Sequence, residues 1–138
     1  MKKILVFLLL LPLLAFKCHR VKNYIEVENQ LNQNVFCLPG FNYPDTSLVQ
    51  FDRHDILAND AVFFVKSAQK QRLFYEYLCV KSAWRQCMAK DTLLVFVIAE
   101  KTMRDSSWSS INSNNLYLRR LVYSYDDILN NGSKITIK

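Results

Sequence analysis

Nucleophilic hydrolysis near neutral pH usually relies on an imidazole base, and the 138-residue chain holds only two histidines, His19 and His54. His54 lies in Asp52-Arg53-His54-Asp55, where the flanking carboxylates could strengthen its hold on a proton. No G-x-S-x-G elbow accompanies it, and its neighbours are those of an exposed loop, so no catalytic role is expected of His54. Metal chemistry has little to build on. Zinc sites take Cys or His pairs at short spacing, whereas Cys79 and Cys87 stand eight apart with no histidine near. Asp126-Asp127 is a carboxylate pair without the alternating acids, glycine and distal glutamate of a calcium loop. It fits the first turn of a helix better, and Asp45 after Pro44 fits a turn. With only Gly40 and Gly132 in the chain, Gly-rich phosphate loops are excluded. No catalytic, cofactor-binding or metal residue is assigned, and no cofactor is expected.

Binding chemistry is better represented. Lys66, Lys70, Arg72, Lys81, Arg85 and Lys90 are interleaved with Phe74, Tyr75, Tyr77 and Trp84. Of these, Lys66, Lys70, Arg72, Lys81, Trp84 and Arg85 form a candidate patch for an acidic glycan, a lipid headgroup or a partner protein. The competing reading is a solvated charged face beside ordinary core aromatics.

The start of the chain carries its own chemistry. Lys2 and Lys3 precede an unbroken apolar run, residues 4–16. This is the pattern of a secretory signal peptide, and it falls short of the roughly 20 apolar residues of a membrane span. Cys18 stands where a lipoprotein signal places its acylated cysteine, although Lys17 and Phe16 precede it where small residues are usual. Cleavage after Ala15 is the rival. The expected organisation is a signal peptide at 1–17 and one exported domain at 18–138, in the periplasm or tethered to a membrane by lipid. That leaves 121 residues, enough for one core. Of the 18 basic residues, Lys2, Lys3 and Lys17 leave with the signal; 15 then face 12 acidic ones, a charge of only +3. The basic balance is therefore no argument for nucleic acid, and none is expected as a partner.

Cys37, Cys79 and Cys87 are the disulfide candidates. If one continuous helix holds Cys79 and Cys87, their Cα atoms lie about 12 Å apart, beyond the roughly 7 Å a bridge tolerates. Cys37 would then be the partner of either one.

The elements that must position these residues follow from periodicity. Residues 23–28 alternate as a strand, the polar stretch 29–34 turns, and 35–38 form a short buried strand. Together they suggest an antiparallel pair, ended by Pro39-Gly40. Residues 42–47 read as a loop and 61–65 as a strand. Residues 72–80 suit helix or strand, and Ser82 can cap a short helix through Met88. Residues 93–98 are apolar throughout and should form a central strand covered on both faces. Ser106 or Ser107 starts a short helix, 116–123 form a strand, and Ser124-Tyr125-Asp126-Asp127 opens a helix that Asn130-Asn131-Gly132 stops. A strand at 134–137 follows. Six or seven strands with two or three short helices make an α+β domain, mainly one antiparallel or mixed β-sheet.

Three stretches in this order resemble a family of small, uncharacterised exported proteins and lipoproteins of Bacteroidetes-type bacteria. They are Asn42-Tyr43-Pro44-Asp45-Thr46-Ser47-Leu48, Asp91-Thr92-Leu93-Leu94-Val95-Phe96-Val97-Ile98, and Arg120 through Tyr123-Ser124-Tyr125-Asp126-Asp127-Ile128-Leu129 to Ile135-Thr136. The chain departs from the family at its last strand, where Ser133-Lys134 and Lys138 replace a Trp before Thr-Ile and a closing Tyr-Pro. The resemblance implies an exported single domain, often lipid-anchored, and brings no activity. The residues and the resemblance together point to a non-catalytic cell-envelope binding protein, with an unknown envelope protein or glycan as partner. A small immunity or inhibitor protein and a hydrolase centred on His54 are the alternatives.

Overall fold

The computed structural model of the chain describes residues 24–44, 52–74, 84–85 and 88–138. Among them are seven strands: β1 (Ile25–Asn29), β2 (Val35–Gly40), β3 (Phe64–Val65), β4 (Lys70–Leu73), β5 (Thr92–Ala99), β6 (Arg119–Ser124) and β7 (Lys134–Ile137). Five short helices accompany them: α1 (Arg53–Ala58), α2 (Asp60–Phe63), α3 (Glu100–Asp105), α4 (Trp108–Ser113) and α5 (Tyr125–Asn130). The α+β class is as expected. The strands, however, form two sheets, β4-β1-β7 and β3-β2-β5-β6, where one was expected, and the helices outnumber the expected two or three.

β5 shows why two layers are needed. All but its first residue are buried, because it lies between β2 and β6 and is covered on both faces. Leu93, Val95 and Val97 point one way, with Val35 and Cys37 of β2, toward Ile25 and Val27 of β1 and Ile135 and Ile137 of β7. Leu94, Phe96 and Ile98 point the other way, with Phe36 and Leu38, into a second core closed by Ile56 of α1, Met103 of α3 and Ile111 of α4. The order of layers is sheet, sheet, helices. Each buried side chain of this size contributes about 1.5–3 kcal/mol relative to exposure, so the period-two alternation of β1 and the apolar run of β5 each select their place.

The expected pairing of β1 with β2 does not occur. β1 pairs antiparallel with β4 and parallel with β7, while β2 pairs with β3 and β5. The polar turn between them carries the chain from one sheet to the other, so that Val27 and Val35 meet across the core rather than side by side. A polar clasp holds this crossing. Asn29, fully buried, donates from Nδ2 to the carbonyls of Gln33 (2.9 Å) and Val65 (3.2 Å) and accepts from the Leu31 N–H (3.0 Å). Asn34 accepts from the Ser67 N–H (2.9 Å) and donates to the Glu100 carboxylate (2.9 Å), and Ser67 Oγ donates to the Leu31 carbonyl (2.8 Å).

Other boundaries also moved. Pro39-Gly40 does not end β2; both pair with β5, opposite Val95 and Leu94. Among the described residues β3 pairs only with Val35 and Phe36. Of the strand expected at 61–65, only Phe64 and Val65 extend. Ala61 and Val62 are exposed, and residues 60–63 coil instead, the Val62 N–H bonding the Asn59 carbonyl at 3.0 Å. The strand expected from 116 begins at Arg119. Of residues 72–80, read as helix or strand, Arg72 and Leu73 extend as the end of β4, and 75–80 lie outside the described residues. Trp84 and Arg85 are helical, and the Met88 N–H bonds the Trp84 carbonyl at 2.8 Å; the expected cap at Ser82 lies outside the described residues. Asn42 to Pro44 turn, and 45–51 lie outside the described residues.

Two of the expected caps are present. Ser107 accepts from the Ser110 N–H, starting α4. Ser124 and Asp127 form a reciprocal capping box at α5, and Gly132 beyond that helix takes a φ of +64°, which glycine adopts at no steric cost.

Candidate functional site

The expected patch is divided by the fold. β3 and β4 are joined by a tight turn in which the Gln69 N–H bonds the Lys66 carbonyl at 3.2 Å and Ala68 takes a φ of 55°. This turn brings Lys66 and Lys70 to the rim of one cleft of about 410 Å³, lined also by Ala61, Phe64, Gln69 and Gln71. Both lysines are exposed. Gln71 Nε2 donates to the Ala61 carbonyl at 3.2 Å, fixing one amide at the wall. Two ammonium groups, two side-chain amides and a partly buried ring can together bind a carboxylated or phosphorylated sugar.

Arg72 lies two residues along β4, on the outward face. Its guanidinium stands 4.7 Å from the centre of the Tyr24 ring, close enough for a cation–π contact. The pairing register places Arg72 opposite Glu26 and Lys70 opposite Glu28, and Lys134 of β7 opposite Glu26 on the other side. Lys134 is ion-paired with Glu28. That bond, followed by one from Gln30, holds the Glu28 carboxyl below the usual carboxylate range, and the same contact raises Lys134. The outward face is thus an alternating ladder, with its surplus of positive charge toward both rims.

Trp84 is a correction. It is fully buried in the first core, its Nε1–H donates to the Asp91 carbonyl at 3.1 Å, and its ring meets Tyr125 edge-on at 5.5 Å. Burial of so large a ring, with its one donor satisfied, outweighs any surface role. Arg85 is exposed but directed to Asp91, 3.6 Å away. Lys81 lies outside the described residues, as do Cys18, Cys79 and Cys87. Cys37, a disulfide candidate in the sequence, stands as a free thiol on β2, and burial pushes its pKa far up.

His54 is exposed in the first turn of α1, where its backbone N–H is capped by the Asp52 carboxylate at 2.7 Å. Asp127 serves α5: its carboxylate accepts from the Ser124 N–H (2.8 Å) and hydroxyl (2.7 Å), which lowers its pKa. Among the described residues no group of three or more His, Cys, Asp or Glu stands together, and no helix is long and apolar enough to cross a membrane.

A second cleft, of about 390 Å³, went unnoticed in the sequence. It is lined by Tyr123 of β6, Asn131 after α5, Lys134 and Thr136 of β7, and Lys138. The alternation Lys134-Ile135-Thr136-Ile137-Lys138 signals that these polar residues share a face, but not that the strand is an edge.

Comparison with known protein families, with curated proteins and with solved structures finds no match.

Proposed function

We propose that the chain is a non-catalytic binding protein of the cell envelope, exported by its first 17 residues, lipid-tethered through Cys18, and directed at an acidic glycan. The observation that carries the reading is the cleft shared by Lys66 and Lys70, with Gln69, Gln71 and Phe64 in its walls. Cations there select charge, amides select hydroxyl and carboxyl geometry, and the ring offers an apolar surface to a sugar. The exposed position of His54 favours binding over hydrolysis. The signal-like residues 1–17 and the placement of Cys18 support delivery to the envelope. An acylated Cys18 supplies several chains, and two hydrophobic signals suffice for stable anchoring.

Titration calorimetry with an oligogalacturonate tests the glycan reading. Binding that weakens with salt and falls at least tenfold in Lys66→Gln/Lys70→Gln, with the fold intact, supports it. Equal affinity of wild type and double variant removes it. Detergent phase separation of wild type and Cys18→Ser tests the tether. Wild type should enter the detergent phase and the variant the aqueous phase; both in the aqueous phase, with a free N-terminus at Phe16, would leave only a secreted protein.

A further inference from the structure

Among the described residues β7 is an edge strand, and its register with β1 shows which of its backbone groups are open. The Glu26 N–H donates to the Ser133 carbonyl at 2.8 Å, and the Gln30 N–H to the Ile137 carbonyl at 2.9 Å. In a parallel ladder alternate residues turn both backbone groups toward the same neighbour. Ser133, Ile135 and Ile137 therefore address β1, and Lys134 and Thr136 turn their N–H and C=O to the open side. No described residue pairs with those groups. The same two residues line the cleft completed by Tyr123, Asn131 and Lys138. A row of unpaired backbone groups is a template for another strand, and this one lies beside a cleft that can take its side chains.

We propose that the β7 edge is a docking site for an extended acidic segment of a partner protein, which adds as a fourth strand to β4-β1-β7. The added strand would bond the N–H and C=O of Lys134 and Thr136, the mode in which main-chain bonds give affinity and alternate side chains give specificity. Charge selects the occupant. Lys134 and Lys138 flank the edge two residues either side of Thr136. A second copy set antiparallel about Thr136 would bring the Lys134 of each against the Lys138 of the other, and like charges directly opposite are destabilising. A segment with carboxylates at those places meets both lysines. Lys134 already shares its charge with Glu28, which leaves Lys138 as the stronger selector. This site is at the opposite edge from the Lys66–Lys70 cleft and does not depend on it.

The test uses protein processed from the full chain in an exporting host, with an eight-residue peptide alternating Glu with Val and Thr as probe. Nuclear magnetic resonance titration should shift the amides of Lys134, Thr136 and Tyr123, and slow hydrogen exchange at Lys134 and Thr136. A matched peptide with Lys for Glu should bind at least tenfold more weakly. Thr136→Pro removes an N–H that β1 does not use and keeps an edge-strand geometry that proline tolerates; it should lower affinity about tenfold, the effect of one well-made hydrogen bond. Lys138→Glu leaves the backbone untouched and should reverse the preference between the two peptides. Shifts confined to other surfaces, equal affinity for both peptides, an unchanged preference in Lys138→Glu, or dimerisation of the free protein through β7 would each overturn the proposal. So would full affinity in a folded Thr136→Pro.

Discussion

Replacing Asn29 by alanine should be among the most destabilising single changes to a polar residue in this domain. Asn29 is fully buried and makes three hydrogen bonds, two from Nδ2 to Gln33 and Val65 and one to Oδ1 from Leu31. Alanine removes all three and leaves two carbonyls and one N–H without their partner. Each such bond contributes about 0.5–1.5 kcal/mol net, so the loss should be about 3 kcal/mol, with the wholly buried bond to Val65 near the top of its range. That is a large part of the 5–15 kcal/mol typical of a domain, and at roughly 3–4 °C per kcal/mol it lowers Tm by about 10 °C. Urea unfolding followed by fluorescence of Trp84 and Trp108 should show a lower midpoint with an unchanged slope, since the surface exposed on unfolding is the same. Asn32→Ala, an exposed position in the same turn, is the control and should change stability by no more than about 0.5 kcal/mol. If Asn29→Ala falls as close to wild type as that control, the clasp does not hold the two sheets together and the reasoning fails.

Gly40→Ala should lower stability by about 1–3 kcal/mol, because a Cβ there would lie 2.7 Å from Phe96 Cε2 and 3.0 Å from Leu94 Cβ; the urea midpoint reads it, and Phe96→Leu in the same chain should restore part of the loss. The Cys37 thiol, fully buried and with its pKa driven up by desolvation, should resist a thiol reagent at pH 8 until guanidinium unfolds the protein, and modification of the native form at the unfolded rate would contradict its burial. Asp127 has a lowered pKa through its bonds to the Ser124 side chain and backbone, so its contribution is present above the ordinary carboxylate pKa and is lost as pH falls through the lowered one. Asp127→Asn should flatten the acid limb of a Tm–pH curve, and an unaltered limb would show that the capping box does not drive it.

The parts of the fold that could be read from sequence are those whose cause is local. β5 is a continuous apolar run, and α4 and α5 begin at serines that cap them. α3 had no such signal. Its N-cap is Ala99, which offers no side-chain bond, and the Glu100 N–H is instead taken by the carbonyl of Asn34 at 3.0 Å, 66 residues away. A helix capped by a distant backbone is invisible to a local reading. The same holds for the β1–β2 crossing. Its polar turn has a hairpin's composition, and only the bonds of Asn29 to Val65 and of Asn34 to Ser67 turn it into a passage between sheets.

The candidate surfaces divide along the same line. Lys66 and Lys70 come together because a short turn joins two strands, a local cause; the sequence grouped them in one patch, but not in this cleft, whose wall at Ala61 belongs to a helix where a strand was expected. The open edge of β7 could not, since it depends on the strand order β4-β1-β7, in which β7 pairs with a strand at the other end of the described chain, Lys134 opposite Glu26. Trp84 fails for a third reason. Basic residues interleaved with aromatics describe a binding platform and a core with a charged rim equally well, because both need a ring between long cationic side chains. What separates them is the indole N–H, which at an open platform is left to water or a ligand and in a core must find an acceptor. Trp84 finds the carbonyl of Asp91, in a backbone turned to positive φ at Lys90 and Asp91. The chain accepts two unfavourable backbone conformations beside that bond, which places the tryptophan among the residues that hold the domain together.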